Sequence, residues 1–140
     1  MARLLLLVAL LAGTPFARAC GYCAEDRMAA VYDHAVVVRA LERRHEVAFL
    51  AIEGARPARA EVRRAIESAV YATRGVDRDT ARVSLESASI SFAYDPRRPG
   101  LGLVLRAIEG KLAARGLSLS ILRVIGETSA IPPRAATAAR

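Results

Sequence analysis

The feature that most constrains this fold is an uninterrupted apolar run bounded by two glutamates. Residues Val47 to Ile52 are all apolar and lie between Glu46 and Glu53. The length of the run suits a strand better than a helix. A strand with one face in water alternates polar and apolar side chains, so continuous apolarity indicates a strand covered on both faces. The chain must therefore supply packing layers on both sides of a sheet.

The segments that follow complete a regular order of strands and helices. Gly54 to Ala58 is a Gly- and Pro-containing loop, and Gly or Pro also punctuates the later elements. Helical periodicity and strand alternation predict helices over residues 59–73 and 101–115, and strands over 82–86, 89–94 and 117–125. The resulting β-α-β-β-α-β order predicts an α+β, ferredoxin-like fold. It has a four-stranded antiparallel sheet with two helices on one face.

An extra N-terminal helix is predicted before the first strand. Apolar residues recur at helical spacing over residues 24–44, and the connection at Arg44-His45 is tight. The helix should therefore fold back along the strand and cover the sheet face that the other helices leave open. Small side chains are available on that face at Ser84, Ser89, Ser91, Ser118 and Ser120. The start of the helix would then return to the end of the sheet that carries loop 54–59.

The first residues have the pattern of a secretory signal peptide. Arg3 precedes the apolar run Leu4 to Ala12, and Ala17-Arg18-Ala19 fits the cleavage rule. The run is far shorter than the roughly 20 residues that span a bilayer. We expect a periplasmic or secreted mature protein with no transmembrane segment. Lipid anchoring at Cys20 is the weaker alternative, because the residues before it do not fit a lipoprotein signal.

The expected organisation therefore has four parts. They are a signal peptide over 1–19, a Cys-x-x-Cys segment with its helix over 20–45, the ferredoxin-like domain over 46–125 and a disordered tail over 126–140. The tail contains Pro132-Pro133 and almost no core-forming side chains, which is typical of disorder.

Composition excludes several classes of function. The chain carries a net charge of +7, with 20 Arg, one Lys, two His and two Cys. A three-histidine catalytic metal site and a four-cysteine site are therefore excluded within one chain. The arginines are spread through every element without interleaved aromatics, so no nucleic-acid partner is expected. No catalytic triad or phosphate-loop motif is present, and we expect a non-enzymatic protein. His34 is isolated on the first helix, and His45 is expected at an exposed turn.

Three short motifs carry a family resemblance. They are the helix pattern Val62-Arg63-Arg64-Ala65-Ile66-Glu67, the hairpin pattern Gly75-Val76 followed by Ala81 to Leu85, and the strand end Ile90 to Pro96. Residues 46–125 resemble a heavy-metal-associated domain, as in periplasmic mercury- and copper-binding proteins. The resemblance implies the ferredoxin-like fold and a role in carrying soft metal ions. That family binds metal through G-M-T-C-x-x-C after the first strand, whereas Arg59 and Val62 stand at the cysteine positions here.

The two cysteines of the chain form a separate motif. Cys20 and Cys23 enclose Gly21-Tyr22 just before the predicted N-terminal helix. Two thiolates at this spacing suit Cu(I), Hg(II) or, with further ligands, Zn(II). We predict that they replace the missing loop cysteines in space and exchange a soft metal with a donor or acceptor protein. The same spacing serves thiol–disulfide exchange with a thiol partner. It can also form a structural disulfide in a non-catalytic interaction domain.

Overall fold

The computed structural model describes residues 23–54 and 60–126. Its helices are α1 (Ala24–Ala29), α2 (His34–Glu42), α3 (Ala60–Tyr71) and α4 (Leu101–Leu112), and its strands are β1 (Glu46–Glu53), β2 (Arg82–Ser84), β3 (Ser89–Tyr94) and β4 (Ser118–Ile125). The predicted signal peptide, Cys20 and residues 127–140 of the predicted tail lie outside the described residues. Within the described ranges, no helix is both long enough and apolar enough to cross a bilayer.

The strands form one antiparallel sheet in the order β2-β3-β1-β4. This order, with α3 after β1 and α4 after β3, is the arrangement of a ferredoxin-like fold, and the predicted α+β class is confirmed. The apolar run lies in β1, between β3 and β4. Each residue from Val47 to Ile52 is no more than 1% exposed, which agrees with a strand covered on both faces.

Side chains of β1 alternate between two hydrophobic cores. Ala48, Leu50 and Ile52 pack in the larger core, to which α3 and α4 contribute. Val47 and Phe49 point the other way into a second core. Its remaining buried members come from the N-terminal segment and β3: Val31, Val36, Val37, Ala40 and Ala93. The prediction that the N-terminal segment covers the second face of the sheet is therefore confirmed.

The prediction of one continuous helix over 24–44 was wrong, because the helix is interrupted between α1 and α2. Asp33 adopts extended dihedral angles (φ −128°, ψ 108°), and its side chain accepts a hydrogen bond from the Val36 amide at 3.1 Å. An N-cap residue has non-helical geometry, so a helix starts there and does not continue through it. The bond from Val36, followed by that from Arg82, lowers the pKa of Asp33. This aspartate therefore determines where α2 begins.

Smaller differences from the predicted boundaries have local causes. Strand 82–86 ends at Ser84, because the hairpin turn includes Ala88 with φ 54°. Helix 101–115 is α-helical to Leu112 and finishes as one 3₁₀ turn. Ser84, Ser89 and Ser91 are buried as expected. Ser118 and Ser120 are exposed instead, and the helices of the N-terminal segment contact β1 and β3.

Candidate metal centre

Three contacts hold the N-terminal segment against the sheet. We call residues 23–42, which include α1 and α2, the N-terminal arm. The Ser91 hydroxyl donates to the Val31 carbonyl at 2.6 Å in a buried setting. Arg82 pairs with Asp33 at 2.8 Å. Arg27 reaches Glu53 at 3.5 Å between Nη1 and Oε1. These contacts fix the direction in which the arm crosses the sheet.

The arm begins at the end of the sheet where β1 leaves for the loop over 55–59. Cys23 immediately precedes α1, is exposed, and its carbonyl accepts from the Arg27 amide at 3.1 Å. Since Arg27 lies one helical turn on and contacts Glu53, the last residue of β1, Cys23 lies at that same end. It is remote from Arg44, which precedes the opposite end of β1. The position of Cys20 lies outside the described residues.

The position that would carry the second cysteine of the heavy-metal-associated motif lies in the first turn of α3 and is used for packing. Val62 is only 9% exposed and belongs to the larger core. A side chain in that core stabilises by removing apolar surface from water. Arg59, the other substituted position, lies outside the described residues.

Other donor groups near the start of the arm are already engaged. Met28 is partly buried and packs against the second core. The Glu53 carboxylate accepts from Arg27 and, at 3.3 Å, from the Ser120 hydroxyl. Among residues 23–54 and 60–126, no group of three or more His, Cys, Asp and Glu side chains could hold a metal ion. A metal at this end would therefore depend on the Cys-x-x-Cys motif.

Gly54 allows the chain to leave β1 close to the turn that precedes β4. Its φ is +103°, and a Cβ atom there would lie 2.2 Å from the Gly116 carbonyl oxygen. Both the dihedral angle and the close approach require glycine.

Replacing Gly54 with Ala should therefore lower the free energy of unfolding by about 2 kcal/mol, measured by urea denaturation. Gly110→Ala is the matched control, because it lies in α4 with open space around its Cα. The control should gain about 0.5–1 kcal/mol from helix propensity. Equal stability of Gly54→Ala and the native chain would show that the strand exit tolerates a side chain.

The two histidines differ from each other in burial. His34 is exposed on α2, and its Nδ1 lies 3.3 Å from the Tyr32 hydroxyl. The expectation that His45 is exposed was wrong. Its side chain is 17% exposed, and its Nδ1 lies 2.8 Å from Asp77 Oδ2. The chain turns at Arg44 with φ 57°, and the His45 amide then donates to the Ala40 carbonyl at 2.8 Å.

A buried acidic pair was not anticipated from the sequence. Glu46 is 6% exposed, and the Tyr94 hydroxyl donates to its Oε2 at 2.5 Å. The other oxygen, Oε1, has no hydrogen-bond partner among the described residues. Burial, followed by the bond to Glu46, raises the pKa of Tyr94 strongly. The pair lies at the end of the sheet opposite Cys23, because Glu46 begins β1 and stands opposite Tyr94, the last residue of β3.

Comparison with known proteins finds similarity at the level of fold. No protein-family profile and no curated protein matches the chain. Similar solved structures include a copper-binding domain from HMA7, a P-type ATPase (20% identity, TM-score 0.47, 56% of this chain and 96% of that one). Oxidized MerP from Ralstonia metallidurans CH34 has 16% identity and a TM-score of 0.44 over 55% of this chain and 96% of its own.

A third similar structure is the N-terminal domain of a potential copper-translocating P-type ATPase from Bacillus subtilis in the Cu(I)-loaded state. It has 22% identity and a TM-score of 0.44 over 55% of this chain and 86% of its own. These solved structures are heavy-metal-associated domains, the kind that the sequence resemblance indicated. At these identities the likeness concerns the fold alone.

Proposed function

We propose that this protein binds a soft metal ion as cargo through Cys20 and Cys23 and exchanges it with a partner protein, without catalysing a reaction. The observation that supports this is the position of Cys23. It is exposed, and the Arg27–Glu53 contact holds the start of α1 at the loop end of the sheet. Two thiolates separated by two residues can ligate one ion.

The donor set favours Cu(I) or Hg(II) over Zn(II). Two thiolates satisfy an ion of low coordination number, whereas structural Zn(II) sites use four ligands. The residues described around Cys23 do not gather such a set. Transfer would begin when a thiolate of the partner adds to the bound ion. One cysteine sulfur then leaves, and no electron is gained or lost. An exposed Cys23 allows the partner thiolate to approach.

Export would determine the chemical state of the motif. Removal of residues 1–19 would leave Cys20 as the first residue of a periplasmic or secreted protein. In an oxidising compartment the thiols bind metal only if a reductant keeps them free. The mass of the protein isolated from its own compartment tests cleavage, lipidation at Cys20 and the disulfide together.

A second candidate function is thiol–disulfide exchange. The exposed position of Cys23, directly before α1, would give a partner disulfide access to the sulfur. In that reaction the dithiol is oxidised to a Cys20–Cys23 disulfide and the partner disulfide is reduced to two thiols. A measured reduction potential below about −300 mV would instead mark a structural disulfide in an interaction domain.

Titration of the reduced protein with Cu(I) against a competing chelator tests metal binding. We expect one tightly bound ion per chain. Cys20→Ser and Cys23→Ser should each weaken the affinity by more than about 100-fold, because each removes one of two ligands. Met28→Leu is the matched control and should leave the affinity unchanged, since Met28 packs against the second core. Binding no tighter than micromolar, or tight binding that survives both serine variants, would reject the proposal.

A further inference from the structure

A cleft away from Cys23 gathers three arginines. It lies between α2 and the loop over 77–80 and encloses about 170 Å³. Arg39 and Arg43 come from the α2 side, and Arg78 comes from the loop. Because α2 ends just before β1 starts, the cleft lies at the opposite end of β1 from the proposed metal site.

The loop side of the cleft is held in place by hydrogen bonds to the sheet. The Asp77 amide donates to the Ala93 carbonyl at 2.9 Å. The Thr80 hydroxyl donates to the Asp77 carbonyl at 2.7 Å and accepts from the Ala93 amide at 3.1 Å. The Asp77 carboxylate is engaged with His45 at 2.8 Å. This side of the cleft is therefore built into the fold.

The α2 side is held by packing. Val36 and Ala40 line the cleft and are both buried in the second core. Helix α2, which carries Arg39 and ends directly before Arg43, is thus fixed against the same sheet as the loop. The separation between the two sides is therefore set by the core.

Positive charge in the cleft is only partly balanced. Within the described residues, none of the three arginines forms an ion pair. Arg39 donates through Nε to the Ala35 carbonyl at 3.2 Å. The negative end of the α2 dipole favours Arg39 and Arg43, but it does not explain Arg78 on the facing loop. The acidic residues beside them are Asp79 and Asp77, and Asp77 already pairs with His45.

We propose that this cleft binds a small oxyanion with the chemistry of inorganic phosphate. The planar guanidinium group presents paired N–H donors that match two oxygens of one anion. Arg39 lies on α2 and Arg43 is the residue that caps its C-terminal end, four residues further on, and like charges at this spacing repel. An anion between them and Arg78 would relieve that repulsion. The site uses no residue of the proposed metal centre.

Titration of the full chain with inorganic phosphate, at constant ionic strength, tests the site through backbone amide resonances. We expect a saturable response confined to residues 36–43 and 77–80. Arg78→Gln and Arg39→Gln should each weaken binding about tenfold, because each removes a charge-assisted hydrogen bond. Arg106→Gln removes the same charge from an exposed position on α4 that does not line the cleft, and it should bind phosphate like the native chain.

Three outcomes would overturn the proposal. They are a response that does not saturate, an equal response to chloride at the same ionic strength, and an equal loss of binding in Arg106→Gln. Saturable binding of sulfate at the same resonances would support the oxyanion chemistry. Arg39 and Arg78 lie on different elements and are both exposed, so neither substitution should unfold the chain. Weaker phosphate binding in both variants would therefore report loss of the site and not loss of the fold.

Discussion

Tyr94→Phe should lower the free energy of unfolding by about 2–3 kcal/mol, because it leaves a buried carboxylate without its hydrogen-bond donor. In the native protein the Tyr94 hydroxyl donates to Glu46 Oε2 at 2.5 Å. Glu46 Oε1 has no hydrogen-bond partner among the described residues. Phe fills the same volume, so the loss would come from the hydroxyl and not from a cavity. Urea denaturation at pH 7 measures it.

Glu46→Gln provides the matched background for this test. The amide retains an oxygen that can accept from Tyr94 and carries no charge. In that background, Tyr94→Phe should lower the free energy of unfolding by only about 1 kcal/mol, the contribution of an ordinary hydrogen bond. Equal costs of the phenylalanine substitution in both backgrounds would show that the charge on Glu46 is not responsible.

The same pair should produce a signature at alkaline pH. Burial and the bond to Glu46 raise the pKa of Tyr94, whereas an unfolded tyrosine ionises near pH 10, at about its ordinary value. The unfolded chain then binds fewer protons than the folded chain, so stability is full below pH 10 and falls as pH rises. The slope is about 1.4 kcal/mol per pH unit. Burial also raises the pKa of Tyr71, which contributes in the same pH range. Subtracting the stability–pH curve of Tyr94→Phe from that of the native chain therefore gives the contribution of Tyr94.

Phe49→Ala should lower the free energy of unfolding by about 3–5 kcal/mol. It should also release the N-terminal arm from the sheet. Phe49 is 1% exposed, lies in the core between the arm and the sheet, and stacks on Tyr32 with 6.3 Å between ring centroids. Truncation removes the largest side chain of that core. The expected result is a loss of global stability together with selective loss of hydrogen-exchange protection in α1 and α2.

Leu50→Ala is the control, because Leu50 is the next residue of β1 and packs in the other core. It should cost about 2–5 kcal/mol without selective exposure of the arm. If both variants change amide protection in α1 and α2 to the same extent, the second core does not hold the arm independently. Under the proposed metal function, release of the arm would also separate the Cys-x-x-Cys motif from the loop end of the sheet.

Much of the fold is determined by local sequence patterns. The run from Val47 to Ile52 required a strand with two covered faces, and the order of the later patterns required the ferredoxin-like arrangement. Such patterns succeed because periodicity records which side chains must leave water. The same reasoning predicted that the arm returns to the loop end of the sheet, and the contact between Arg27 and Glu53 agrees with it.

For the candidate site, the sequence alone limited the possible thiol donors to two, Cys20 and Cys23. Only the tertiary structure decided which side chains that are far apart in the chain contact each other. Asp33 separates the two helices of the arm and pairs with Arg82, and the partly buried His45 pairs with Asp77. Glu46 meets Tyr94 through the register of β1 and β3. Periodicity assigns a residue to one face of its helix or strand. It cannot say which residue of another element lies opposite, because strand register and packing determine that pairing.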